Sequence, residues 1–107
     1  MLCLENTWFS VISPEGCASI LFRDSTKCIE AADSMKVTSK DLFELGMCDQ
    51  IIQEPSGGAN VDYDAAAESV KNAICKEYDL IISKSSEELI EERIKKYSNM
   101  GSWIDNG

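Results

Sequence analysis

Few side chains in this 107-residue sequence are equipped for catalysis on their own. Histidine is absent, so neither a His-based triad nor an imidazole general base can be built. The paired carboxylates Glu87-Glu88 and Glu91-Glu92 fall on the surface of a helix, where nothing keeps them dry enough to displace their pKa values. The five cysteines, Cys3, Cys17, Cys28, Cys48 and Cys75, are an odd number with no Cys-x-x-Cys pair. That pattern suits neither a zinc site nor a disulfide framework, and the thiols read as small structural hydrophobes in a reducing compartment. No phosphate-binding P-loop and no Gly-x-Gly-x-x-Gly string occurs. What remains is backbone chemistry. Two places could aim N–H groups at an anion: the helix start at Ser13-Pro14-Glu15-Gly16 and the loop carrying Gly57-Gly58. Each has a plainer reading beside it, a buried corner for the first and a tight turn for the second.

The elements that must position these residues follow from local pattern. Trp8, Phe9, Val11 and Ile12 are aromatic or β-branched and predict a half-buried strand leading into the corner. Ser13 is placed to accept from free amides of the helix's first turn, Pro14 suits the first helical position, and Glu15 complements the helix dipole. Gly16 and Ala18 keep the turn slim. Asp24 or Ser25 caps a helix over 26–36, with Ile29, Ala32 and Met35 on one face. Thr38-Ser-Lys-Asp41 is a near capping box opening a short helix that Gly46 ends, and residues 47–52 then read as a strand. Glu54-Pro-Ser-Gly-Gly-Ala-Asn60 is the clear interior loop. Beyond it, Asp62 or Asp64 caps a helix over 65–82 whose Ala66, Val70, Ala73 or Ile74, Tyr78 and Ile81 mark a buried stripe. Ser85-Ser-Glu-Glu88 caps a last helix with Leu89, Ile90, Ile94 and Tyr97 on one face. Gly101 stops it, and Trp103 in the tail is expected to tuck against something apolar.

Composition bounds the partners. Ten basic residues against nineteen acidic ones give a net charge of −9, which opposes nucleic-acid phosphate and anionic membrane as main partners. No apolar run approaches the roughly 20 residues a membrane span needs. Met1-Leu-Cys-Leu-Glu-Asn6 reads as domain interior rather than leader, and a cytoplasmic location is expected. One α/β domain at most is anticipated, with short strands followed by predominantly helices.

Glu5-Asn6, the run Phe9-Ser-Val-Ile-Ser-Pro-Glu-Gly-Cys-Ala-Ser-Ile-Leu21, and the block over 38–52 together resemble one family. The Glu54-Pro-Ser-Gly-Gly-Ala59 loop and the closing Glu-Glu-Arg-Ile-Lys-Lys-Tyr97 helix with Met100-Gly101 extend the likeness over nearly the whole chain. The family is the carboxyltransferase α subunit of bacterial-type acetyl-CoA carboxylase, and the resemblance is to its C-terminal third. It implies a crotonase-like fold, with residues 1–60 as part of the core and 61–107 as C-terminal helices.

The resemblance also implies an α2β2 complex with the carboxyltransferase β subunit. That complex passes a carboxyl group from carboxybiotin, on the biotin carboxyl carrier protein, to acetyl-CoA, giving malonyl-CoA for fatty-acid synthesis. Zinc would belong to the β subunit alone and biotin to the carrier, so this chain would hold no cofactor. Ser13, Pro14, Glu15 and Gly16 become a wall beside the substrate, and Gly57 and Gly58 a loop of possible backbone donors. No catalytic residue is assigned, because the family's glycine-rich oxyanion segment lies upstream of the part matched. Thr7 stands near where crotonase hydratases carry an acid, which fits carboxyl transfer better than hydration. Ser56 and Asn60 replace a leucine and a histidine of the family's loop. The other reading is a non-catalytic module that binds the β subunit or a full-length α chain.

Overall fold

The computed structural model describes residues 1–102, so Trp103 lies outside the described residues. The chain forms β1 (Leu2–Leu4), α1 (Pro14–Phe22), a 3₁₀ turn (Ser25–Lys27), α2 (Cys28–Met35), α3 (Ser39–Glu44), β2 (Gln50–Ile52), α4 (Tyr63–Ile81) and α5 (Ser86–Ser98). β1 and β2 pair in parallel, Leu2 opposite Gln50, Cys3 opposite Ile51 and Leu4 opposite Ile52. The architecture is mixed α/β, two short parallel strands among mostly helices.

Most helix boundaries follow from their caps. Asp24 and Asp62 accept from the amides of Thr26 and Ala65, and Ser85 from that of Glu88. The Thr38 box closes fully despite its Asp: the Thr38 hydroxyl accepts from the Asp41 amide at 3.2 Å while the Asp41 carboxylate accepts from the Thr38 amide at 3.2 Å. Gly46, at φ 71, turns the chain out of α3 in the left-handed region that glycine enters without penalty.

Several expectations need correction. No strand forms over residues 8–12. Trp8 makes a single antiparallel bridge to Thr38, and Phe9 N–H donates to the Val37 carbonyl at 2.8 Å. Ser10 then folds the chain on itself, its hydroxyl donating to the Ile12 carbonyl at 2.6 Å. A side chain that satisfies the backbone locally competes with a ladder, and here it wins. The second strand is shorter than expected, because the amides of Met47 and Cys48 both turn back to the Leu42 carbonyl. The third correction concerns α4. Ala66 and Ala73 are buried, but Ile74, Tyr78 and Ile81 of the same predicted stripe are exposed. The face-sharing residues Ile90, Ile94 and Tyr97 of α5 are exposed as well, and α5 buries no residue.

The core is small and divided. Cys3, Leu42 and Cys48 form one cluster with Phe9 and Ile51 packed against it. Ala18 of α1 and Ala31 of α2, each 0% exposed, are the buried residues of a helix pair that packs closely. In α2 the buried side is therefore the Ala31 side, and Ile29 faces out. The molecule is a plate measuring 52 × 50 × 17 Å. Its radius of gyration of 17.9 Å exceeds the value of about 13 Å for a compact chain of this length. A plate this thin holds little more than one helix layer on a strand pair, so side chains on both faces lie near its surface. No helix among the described residues is long and apolar enough to cross a membrane.

Candidate functional site

Ser13 sits in extended conformation immediately before α1, and its hydroxyl accepts from the Gly16 amide at 3.1 Å. Its carbonyl accepts from the Cys17 amide at 2.9 Å, while Pro14 has no N–H to offer. The first turn therefore spends most of its donors on Ser13, and the Glu15 carboxylate stands at the same end. Such a start is a shaped surface more than an anion receptor. Gly16 leaves room for Ile12: a β-carbon there would lie 2.9 Å from Ile12 Cγ1, so the Ile12 side chain would have to shift. The corner's flank, Trp8, Phe9, Ile12, Met35 and Val37, lines an apolar groove.

The second candidate, the Gly57-Gly58 loop, is organised by a residue that sequence reasoning gave no role. The Glu54 carboxylate accepts three hydrogen bonds: from the Asn6 backbone amide at 2.9 Å, from Asn6 Nδ2 at 3.2 Å and from the Ala59 amide at 2.8 Å. The Glu5 carboxylate returns the favour by accepting from the Glu54 amide at 3.3 Å. Ser39, buried at the start of α3, donates its hydroxyl to the Glu5 carbonyl. The end of β1, the loop after β2 and the first turn of α3 are thus one hydrogen-bonded unit. Those bonds hold the Glu54 carboxyl below the usual carboxylate range, first through the Asn6 amide, then the Ala59 amide, then the Asn6 side chain.

Within the loop, Gly57 and Gly58 take φ 94 and 103, values that favour glycine. The Gly58 amide donates to the Pro55 carbonyl at 2.8 Å, closing a turn. With the Ala59 amide given to Glu54, the amide of Gly57 is the one of these three with no acceptor among the described residues. The available signal for Glu54 was its place beside the glycines: a carboxylate next to a turn with positive φ is well sited to take up that turn's amides.

The remaining candidates are not drawn into a common site. The groove beside the loop runs along Ala59, Asn60, Tyr63, Ala66 and Val70, apart from the groove beside the corner. Glu88 is engaged in the Ser85 cap, and Glu92 pairs with Lys84 at 2.7 Å. All five cysteines are free thiols. Cys3 and Cys48 are buried, Cys17 and Cys28 half-buried, and Cys75 is exposed on α4 rather than packed. Burial, with the Cys48 thiol beside it, pushes the Cys3 thiol up to about 11, which keeps it protonated and unreactive at neutral pH. No group of three or more His, Cys, Asp or Glu residues comes together to hold a metal among the described residues.

Comparison with known proteins gives these features a context. The family described as acetyl co-enzyme A carboxylase carboxyltransferase-like matches residues 1–101. Acetyl-coenzyme A carboxylase carboxyl transferase subunit alpha of Oceanobacillus iheyensis is 50% identical over 101 residues, which is 94% of this chain and 32% of the relative. The subunit of the same name from Thermus thermophilus is 42% identical over 105 residues, 98% of this chain and 34% of the relative. That from Listeria monocytogenes is 48% identical over 98 residues, 92% and 31% respectively. The chain thus spans about a third of the length of the curated relatives it matches. With the family match covering residues 1–101 and relatives 42–50% identical over nearly all of the chain, the chain belongs to the acetyl-CoA carboxylase carboxyltransferase-like family.

Proposed function

We propose that the chain supplies the C-terminal part of an acetyl-CoA carboxylase carboxyltransferase α subunit. Within it, residues 1–60 belong to a crotonase-like core and 61–107 to its closing helices. The match over residues 1–101 to about a third of each relative carries this reading. In the reaction, the N–C bond of carboxybiotin breaks to give CO2 and a ureido anion. That anion takes a proton from the methyl carbon of acetyl-CoA, and the resulting enolate carbon attacks CO2 to form malonyl-CoA. The chain's part is to hold surfaces. Ser13-Pro14-Glu15-Gly16 walls the carboxybiotin side, and the Gly57 amide, in a loop that Glu54 holds through Ala59, can add a fixed dipole near developing negative charge. The main oxyanion donors, and any zinc on the β subunit, lie outside these residues. The working assembly includes the β subunit and the biotin carboxyl carrier protein in the cytoplasm, and the −9 charge opposes nucleic acid and anionic membrane as main partners.

The chain alone is expected to be inactive. With purified β subunit, biotin and malonyl-CoA, the reverse reaction should show no turnover above the β subunit by itself. Turnover under those conditions would refute the reading, because it would need no donors beyond those in this chain.

A further inference from the structure

The five cysteines divide unevenly. Cys17 and Cys28 are half-buried and Cys75 is exposed, whereas Cys3 and Cys48 are 3% and 4% exposed. These two buried thiols are not scattered: they belong to one cluster, with Leu42 as its other buried member. Cys3 sits in the middle of β1 opposite Ile51, and Cys48 stands on the approach to β2. The chain reaches Cys48 through a turn, in which the amides of Met47 and Cys48 both go back to the Leu42 carbonyl. Beyond that turn the Cys48 thiol lies beside the Cys3 thiol. Its polar partners are main-chain oxygens, the Gln50 carbonyl at 3.2 Å and the Met1 carbonyl at 3.6 Å. Packing alone asks only for two small hydrophobes here. Two neighbouring thiols also bring a two-electron couple.

The surroundings set the order in which the sulfurs react. The thiolate is the nucleophile toward oxidants. Burial and the adjacent Cys48 thiol push Cys3 up to about 11, which holds it as the thiol and leaves Cys48 to be oxidised first.

We infer that Cys3 and Cys48 form a redox latch, a dithiol that hydrogen peroxide closes to a disulfide within the folded chain. In the first step the Cys48 sulfur attacks one peroxide oxygen and the O–O bond breaks. The leaving hydroxide takes the thiol proton as water, and Cys48 becomes a sulfenic acid. In the second step the Cys3 sulfur attacks the Cys48 sulfur and the S–O bond breaks. That hydroxide leaves as water with the Cys3 proton. The two thiols lose two electrons and two protons, and one peroxide becomes two waters. The bond ties β1 to the approach to β2 and closes a loop over residues 3–48, which holds α1, α2, α3 and the Ser13–Gly16 corner. A loop of that length restricts the unfolded chain strongly. Cytosolic disulfides are usually transient and redox-sensing, and a thiol reductant reopens this one. The inference does not depend on the carboxyltransferase reading.

The test treats the full chain with hydrogen peroxide at neutral pH, blocks remaining thiols with N-ethylmaleimide in denaturant, and maps peptides by mass spectrometry without reduction. A cross-linked Cys3–Cys48 peptide that dithiothreitol separates is expected. By far-UV circular dichroism the oxidised chain should melt at least about 5 °C above the reduced one. In Cys3→Ala the second step is blocked, so dimedone, which traps sulfenic acids, should label Cys48. In Cys48→Ala its labelling of Cys3 should be at least about ten-fold weaker. The same dichroism confirms which variants fold, and if neither does, the peptide map of the parent decides. Cys3 and Cys48 both recovered as maleimide adducts after peroxide would overturn the latch. So would a disulfide that goes through Cys17, Cys28 or Cys75 instead. A Cys3–Cys48 bond that lowers the melting temperature also overturns it, because closure would then distort the fold rather than lock it.

Discussion

Residues 1–60 and residues 61–102 are held by different forces. The first part is cross-linked by directional bonds between segments far apart in sequence, Asn6 to Glu54, the Glu54 amide to Glu5 and Ser39 to Glu5, and within its loop by Ala59 to Glu54. It also contains the Cys3–Leu42–Cys48 cluster. The second part is two capped helices. α4 buries two alanines, α5 buries nothing, and α5 is tied down by the exposed pairs Lys84–Glu92 and Lys96–Asp49. Exposed ion pairs stabilise little. A segment whose polar groups are mutually satisfied keeps its geometry without a large core. Helices whose apolar faces are unmatched keep their helicity from caps and local pairs, and take their position from whatever covers them.

The largest expected contrast is in core truncation. Leu42→Ala removes a buried side chain from the cluster that links β1, α3 and the approach to β2, and should cost about 2–4 kcal/mol. Ile94→Ala, at a residue 62% exposed, should change stability by less than about 0.5 kcal/mol in the chain alone. Urea denaturation followed by far-UV circular dichroism measures both. An equal loss for Ile94→Ala would mean that α5 is packed, and the contrast would be broken.

The caps give a smaller and more local contrast. Thr38→Ala and Ser85→Ala each remove the side-chain acceptor of a capping box, at about 1 kcal/mol apiece. α3 is bound into the core cluster, so the Thr38 change should move the whole unfolding midpoint. The Ser85 change should raise hydrogen exchange in α5 only. If both variants shift the midpoint alike, the two parts unfold as one unit.

What was legible in the sequence follows the same division. Caps are one-turn events decided by neighbouring side chains, so Ser13, Thr38 and Ser85 are readable, as is the glycine at the end of α3, and Asp62 is one of two residues the pattern offers. Asp24, one of two offered for the helix over 26–36, caps the 3₁₀ turn instead, and α2 begins at Cys28 with no side-chain cap. The lost strand at Trp8–Ile12 was not. Its composition favours a sheet, but a ladder needs a neighbour, and Ser10 meets the Ile12 backbone instead. The stripe on α4 was placed correctly on one helix face, yet periodicity reports which face is apolar and is silent on what buries it. At the candidate site, the glycines of the Gly57-Gly58 turn were evident from residue type, whereas the Glu54 clamp depends on Asn6, forty-eight positions away. Pairings at that range are a product of the parallel β1–β2 register, which no local pattern specifies.

The smallest effect is also the most specific to the clamp. Glu54 has its pKa depressed in the folded chain, so its contribution is fully present above the unfolded carboxylate value of about 4.3 and is lost as pH falls through the lower folded value. Asp24 and Asp41 are depressed as well, each first by the side chain of its threonine partner, Thr26 and Thr38 respectively. Acid should therefore loosen the loop and two helix entries in residues 1–60, with no change between pH 7 and 5. Asp49, lowered first by Lys96 and then by the N-terminal ammonium, is the carboxylate that joins the two parts, and its loss should free α5 over the same descent. The Ala59 amide, 2.8 Å from Glu54, is the direct reporter. Its nitrogen and proton shifts should titrate below pH 4.5 in the parent and stay flat in Glu54→Gln, while the Asp41 amide still titrates in both. An Ala59 shift that persists in Glu54→Gln would remove Glu54 from the control of the loop.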